Sequence, residues 1–252
     1  MTLYDSLAVY NVNNKADKGA FMKRTDDVMD TSNVYSYGID LSKIKLDFSK
    51  SHKKHKAPAK RYVCIDLEMT EFSASQRCFV PGANGEVIQF GAVMLDENLQ
   101  EIGNFRTYVK PEYNDKIAAE IRNLTGITDV MVANAPVFRE AFRMFTNWCL
   151  GTGDEVTIYA WSDSDYNQVV KEILLKEYEL SDEEHGLIDT EWTDFQNEFD
   201  AHIGFERRIS LELALDMAGI DFSGRQHDAL DDARNTADLL HVFRDRDLFE
   251  KT

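Results

Sequence analysis

Carboxylates recur at three places in this 252-residue sequence where their spacing carries chemical meaning. Tyr62-Val63-Cys64-Ile65-Asp66-Leu67-Glu68-Met69-Thr70 sets two acids one residue apart in an apolar, β-branched run. Side chains alternate along a strand, so Asp66 and Glu68 share one face. Acids on so apolar a strand are costly unless they are paired or ligating. Hard divalent cations take oxygen ligands, which makes magnesium or manganese a better match than zinc. The second place is Trp161-Ser162-Asp163-Ser164-Asp165, between a strand-like run and a helix-like one. An aspartate there acts either as an N-cap or as a ligand at the C-terminal edge of a central strand. Asp165 is taken as the ligand, with Asp163 as the alternative. The third is His227-Asp228-Ala229-Leu230-Asp231-Asp232, just before the last helix. A histidine over an activated water takes its proton, and whichever of Asp231, Asp232 and Asp238 turns toward the strand acids is the ligand. Such a set suits hydrolysis of a phosphodiester with paired divalent metals.

The elements that must carry these residues follow from hydrophobic period and punctuation. Residues 61–68 read as a buried strand, 86–95 as a second, and 100–110 as a third that ends at Pro111, forming an antiparallel meander. A short helix is expected over 115–123 and a longer one from Pro136 to Cys149, with Val137, Ala141, Phe142, Phe145 and Trp148 on one stripe. Residues 155–160 give a fourth strand and 166–179 a helix. A short fifth strand is read at 187–190, then helices at 192–201, 210–217 and 229–244. A meander followed by alternating helices and strands implies an α/β fold with a mixed sheet flanked by helices.

Residues 1–61 differ: they are polar and weakly periodic, and read as an N-terminal extension that ends in a basic linker at 50–61. The tract from Ser49 to Arg61 holds six Lys or Arg and no acid, in a chain of net charge -17. It is either a solvated linker or a strap that meets a phosphate backbone. The overall acidity argues against non-specific attachment to a polyanion. Bound divalent cations would invert that argument inside an acidic cleft. Three cysteines, Cys64, Cys78 and Cys149, form no C-x-x-C pair and point to a reducing, cytoplasmic compartment. The start of the chain shows no secretory pattern, and no apolar run is of membrane-spanning length.

The motifs resemble those of the DEDDh-type 3′-to-5′ exonucleases, a group with the RNase H-like fold of a mixed five-stranded sheet. Asp66 and Glu68 match the family's Asp-x-Glu. Asp165 matches its second-motif aspartate. His227, Ala229 and Asp232 match His-x-Ala-x-x-Asp without a gap, and Ala233-Arg234-Asn235 continues it. Leu124-Thr125-Gly126-Ile127-Thr128, Val130 to Pro136 and Val87 to Val93 are similar to family segments too. The resemblance covers about residues 60–245, implies an exonuclease domain over 62–246, and is nearest the Eri/KapD-like branch. Ser162 stands where that branch commonly has glycine.

The resemblance implies that Asp66, Glu68, Asp165 and Asp232 hold two Mg2+ or Mn2+ ions, with Glu68 bridging metal and water network. It implies that His227 is the general base, with activity rising through about pH 6–8. Met69 and Thr70 would meet the terminal nucleotide, Leu124 and Ile127 would pack on its base, and Phe72 is a weaker stacking candidate. The expected partner is the 3′ end of single-stranded RNA or DNA, and the product a nucleoside 5′-monophosphate. Two other readings stand beside this one: a catalytically silent module that binds 3′ ends, and a proofreading subunit of a DNA polymerase.

Overall fold

The computed structural model describes residues 61–72, 83–151, 153–204 and 207–245. The N-terminal extension and basic linker, apart from Arg61, lie outside the described residues, as do Cys78 and residue 246. The frame is a five-stranded sheet in the order β3-β2-β1-β4-β5. Its strands are β1 (Arg61–Met69), β2 (Val87–Leu95), β3 (Glu101–Tyr108), β4 (Val156–Ala160) and β5 (Glu191–Asp194). β1, β2 and β3 form the antiparallel meander, while β4 and β5 run parallel to β1. The helices are α1 (Ala119–Thr125), α2 (Asp129–Val132), α3 (Phe138–Leu150), α4 (Ser164–Leu175), α5 (Asp182–Ile188), α6 (Phe195–Ile203), α7 (Leu211–Ala218) and α8 (Ala229–Asp245).

The two-residue period of β1 sorts the molecule into layers. Val63, Ile65 and Leu67 join Phe90, Ala92 and Met94 of β2 in a core covered by α3, α4 and α5. Phe138, Ala141, Phe142 and Phe145 bury the helical stripe read from the sequence against it. Cys64 faces the other way, with Val93 and Leu95, onto a core filled by Phe195 and Phe199 of α6, Leu215 of α7 and Leu239 and Leu240 of α8. Asp66 and Glu68 share the register of Cys64, and therefore the side that α8 covers.

Gly91 of β2 lies opposite Asp66. A Cβ on Gly91 would sit 2.1 Å from the backbone of Ala229 and Leu230, so only glycine lets the start of α8 rest on the sheet there. That contact sets where the first turn of α8 stands relative to the β1 acids.

The fifth strand falls at Glu191–Asp194, not 187–190, and residues 182–188 are helical. The reason is local. Ser181 accepts from the Glu184 N–H at 3.3 Å and Glu184 returns a bond to the Ser181 N–H at 2.7 Å, a capping box that starts a helix where the apolar Leu187-Ile188 pair suggests a strand. Trp192, expected in a helix, lies in β5, buried, with its indole N–H donating to the Leu187 carbonyl at 3.0 Å. The helix expected at 115–123 begins only at Ala119, the one expected at Pro136 begins at Phe138, and α2 is an added turn.

A buried charge knot fastens β2 to α4. The Lys176 ammonium lies 2.7 Å from Glu172, 3.2 Å from Glu86 and 3.0 Å from Glu112. All three approaches are ion pairs. Glu86 also accepts from the backbone N–H groups of Glu112, Tyr113 and Asn114, and Glu172 from that of Val87. The Glu86 carbonyl in turn accepts from the Thr70 N–H at 2.8 Å, which ties the knot to the end of β1. Removing one member of a buried ion cluster leaves the others uncompensated. Lys176→Ala is therefore expected to lower unfolding free energy by about 3–5 kcal/mol, read by urea denaturation; a loss below about 1 kcal/mol, the range of exposed pairs, would show that the knot is not structural.

Candidate active site

Five sequence-selected residues converge at the C-terminal end of β1. β4 stops pairing at Ala160, opposite Ile65, and the next inward N–H on that side of β1, that of Leu67, is left without a strand partner. Asp165, in the first turn of α4, supplies one: its Oδ1 accepts from the Leu67 N–H at 3.0 Å. This bond sets a buried carboxylate against the backbone between Asp66 and Glu68. Asp163, the alternative, is exposed and bound to Arg208 at 3.2 Å. It occupies the N-cap position of α4 without a side-chain capping bond.

From the opposite layer, α8 brings Asp232 and the loop before it brings His227. Ligand atoms of Glu68, His227 and Asp232 all lie within 4.8 Å of one another. The Asp232 Oδ2 accepts from the His227 backbone N–H at 2.9 Å, closing the turn. His227 has a φ of +61°, in the left-handed region that non-glycine residues seldom enter. The turn that forces this conformation leaves the His227 ring exposed at the mouth of the acid cluster. Asp231, a competing acid, is occupied elsewhere: its Oδ2 accepts from the Arg225 backbone N–H.

The electrostatics of the cluster follow from crowding. Burial pushes Glu68 up to about 8, reinforced by Asp232, Asp165 and Asp228. Burial pushes Asp165 up to about 7, against the pull of the Leu67 N–H. Burial likewise pushes Asp232 up to about 6, against the His227 N–H. Asp66 rises well above the carboxylate range, from burial first and then from Asp165, Glu68 and Asp232. No bond to the Asp66 carboxylate is found among the described residues. A cluster of carboxylates with an imidazole at its edge, one acid of which has no bond among the described residues, and in which each acid opposes the ionisation of its neighbours, fits a divalent cation.

The substrate candidates scatter. Thr70 is buried at the end of β1, with its hydroxyl unpaired, and Met69 packs partly on the main core. Leu124, at the end of α1, is exposed. Ile127 is buried with Ile88, Ile117 and Val132. Phe72 is buried with Ala83 and Leu175, 3% exposed, so its faces are closed to a stacking base.

Several residues of the centre were not singled out from the sequence. Gln89, fully buried opposite Glu68 on β2, accepts from the Ala229 N–H at 3.2 Å, and its amide nitrogen has no partner. An amide in the middle of the apolar run Val87-Ile88-Gln89-Phe90 is the signal that marks it. Asp228, a fifth acid, is ion-paired with Arg106 of β3. That pair joins residues 122 apart, and nothing in the local sequence announces it.

The sequence profile of the exonuclease family matches residues 63–240. The "3'-5' exoribonuclease 1" of Mus musculus is 28% identical over 183 residues, covering 70% of this chain and 51% of that protein. "ERI1 exoribonuclease 2" of Homo sapiens is 30% identical over 205 residues, covering 69% of this chain and 27% of that one. The chain thus spans about half or less of the length of these curated relatives. Among solved structures, the nuclease domain of 3'hExo, a DEDDh family member bound to rAMP, is similar at a TM-score of 0.65 and 22% identity, covering 78% of this chain and 97% of that one. The likeness shows the mixed-sheet fold of the DEDDh exonucleases.

Raised carboxyl pKa values stabilise the fold only while the groups keep their protons. Below about pH 4, the unfolded value, that contribution is whole, and it is lost as pH climbs through the folded values toward about 8. In EDTA the melting temperature should fall across this window. Added Mg2+ or Mn2+, which binds the ionised acids, should restore more at pH 8 than at pH 5. A metal-free melting temperature that rose from pH 5 to 8 in thermal scans would contradict the site's electrostatics.

Proposed function

This chain belongs to the exonuclease family, and we propose that it removes nucleoside 5′-monophosphates one at a time from the 3′ end of single-stranded nucleic acid. The observation that carries the reading is the meeting of Asp66, Glu68 and Asp165 from one side with Asp232 and His227 from the other. RNA is the first substrate to test, since the similar proteins named above are called exoribonucleases; DNA is the second.

Asp66, Glu68, Asp165 and Asp232 are the residues that would hold the metal, read as two Mg2+ or Mn2+ ions. Bound divalent cations supply Lewis-acid charge beside the phosphate and lower the pKa of water. Glu68 orients the attacking water. His227, exposed at the mouth and held by its own backbone bond to Asp232, takes the water proton on a ring nitrogen. The water oxygen joins phosphorus, the bond to the 3′-oxygen breaks, and the strand leaves one nucleotide shorter. Met69 and Thr70 at the end of β1 approach the terminal sugar, and exposed Leu124 offers an apolar surface to its base. Ile127, buried in its cluster with Ile88, Ile117 and Val132, does not present a face to the base.

The catalytic domain is assigned to 62–246, preceded by the extension at 1–61. Cys64 and Cys149 are buried free thiols, which supports a reducing, cytoplasmic setting. No helix among the described residues is long and apolar enough to cross a membrane.

The test is a gel assay with end-labelled single-stranded RNA and DNA, in magnesium and in EDTA. Stepwise 3′ shortening is expected in magnesium alone, and Asp66→Ala should abolish it while the protein still melts cooperatively. Full activity of that variant would end the metal-site account. His227→Ala should lower kcat by roughly 100- to 10,000-fold while keeping the rise in melting temperature that magnesium causes. Retention of parental kcat would remove His227 from the role of base.

A further inference from the structure

Gly224-Arg225-Gln226-His227 places a cation two residues before the imidazole. The loop backbone is fixed there. The Arg225 N–H donates to Asp231 Oδ2 at 2.9 Å, and the Arg225 carbonyl accepts from the Asp228 N–H at 3.2 Å. Gly224 has a φ of +87°, and a Cβ on it would meet the Asp231 carboxylate at 2.5 Å. The Arg225 side chain therefore starts from a rigid base.

It crosses to the C-terminal end of α1. There Nη2 donates to the Leu124 carbonyl at 3.2 Å. The guanidinium lies so close over Gly126 that a Cβ on that residue would be 1.8 Å from Nη1. Arg225 thus spans from the His227 loop to the segment that carries exposed Leu124, beside the acid centre.

Several other arginines carry an ion pair. Arg106, Arg122 and Arg208 are each matched to an aspartate. Arg225 is exposed, makes one side-chain bond to a neutral carbonyl, and has no ion pair among the described residues. In a chain with 45 acidic residues against 28 basic ones, an unmatched guanidinium at the edge of an acidic centre is unexpected on charge alone. Its charge reaches Glu68, where it opposes the upward push of burial. A guanidinium offers five N–H donors in a planar fork that matches phosphate oxygens. The carbonyl bond uses one nitrogen and leaves the rest of the fork open.

We infer that Arg225 is a substrate-binding residue whose guanidinium grips a backbone phosphate of the strand lying between the His227 loop and the C-terminal end of α1. The inference rests on the exonuclease reading for the identity of the ligand. It adds to that reading a protein cation that binds the polyanion directly.

The test has two arms on the full chain. One is fluorescence anisotropy of a labelled single-stranded RNA with Ca2+ in place of Mg2+. The other is steady-state shortening in Mg2+. Arg225→Ala should weaken binding and raise KM about tenfold at low salt, with kcat nearly kept, as expected for loss of one charged contact. The slope of log binding constant on log salt should fall by about 0.7, the share of one single-strand phosphate. Arg225→Lys should recover part of the binding, since it keeps the charge and loses the fork. The magnesium-induced rise in melting temperature should match the parent's.

Parental affinity and KM in Arg225→Ala, or a loss that ignores salt, would overturn the inference. So would a loss shared by Arg225→Lys and matched by a fall in melting temperature, which marks a structural role. Arg225-dependent binding without shortening by the parent would support this inference while ending the exonuclease reading. Shortening indifferent to Arg225 would end this inference alone.

Discussion

Mutual repulsion among carboxylates is the constraint under which this centre is built. Asp66, Glu68, Asp165 and Asp232 are drawn from three elements into one space, and burial plus crowding raises all four. The fold offsets the cost piecemeal. A strand N–H serves Asp165, a loop N–H serves Asp232, and Arg106 serves the neighbouring Asp228. Asp66 is left as the acid with the weakest compensation. Packing elsewhere must hold together what electrostatics would push apart, and the surplus of negative charge is the driving force for cation binding.

That packing is of two kinds. On one side, α8 lies directly on β2 at Gly91, so the helix carrying Asp232 cannot retreat from β1 without giving up the layer built on Leu230, Leu239 and Leu240. On the other, the Lys176 knot fastens α4 to the start of β2 and, through Glu86, to Thr70. Asp165 and Lys176 stand near the two ends of α4, so one helix delivers a carboxylate to the acid cluster and anchors itself with a buried ion cluster. The apolar core in between includes Tyr166, Val169 and Ile173 in one cluster with residues of β1 and α3.

Legibility from the sequence divides by range. Asp66 and Glu68 were readable because a strand's period of two is local, whereas Asp232 was separated from Asp231 and Asp238 by the resemblance of the His227-to-Asp232 motif and not by helix periodicity alone. The meander of β1, β2 and β3 was readable from the turn between hydrophobic runs, while the place of β4 beside β1 and of β5 beside β4 came from the structure. The fifth strand slipped by four residues because a capping box at Ser181 outweighs two apolar residues. Asp163 and Asp165 are chemically equal as residues; the family motif favours Asp165, and the unpaired Leu67 N–H supplies the structural reason. Phe72 looked free and is buried, since its neighbours Leu175 and Ala83 come from distant segments. Arg106–Asp228 and Arg225–Leu124 join segments more than a hundred residues apart, so no window of sequence contains them.

Net charge of -17 and a polyanionic substrate can coexist because the relevant potential is local. An acidic surface far from the cleft acts through water and is screened within about 8 Å at physiological ionic strength. Inside the cleft, cations that neutralised the acids would reverse the local sign and let a phosphate approach. The same acidity then serves selectivity. On the reading proposed above, a phosphate-rich chain would be accepted where bound metal and the Arg225 guanidinium reverse the sign. Arg225, which makes one side-chain bond to a carbonyl and no ion pair among the described residues, leaves positive charge at the edge of that cleft.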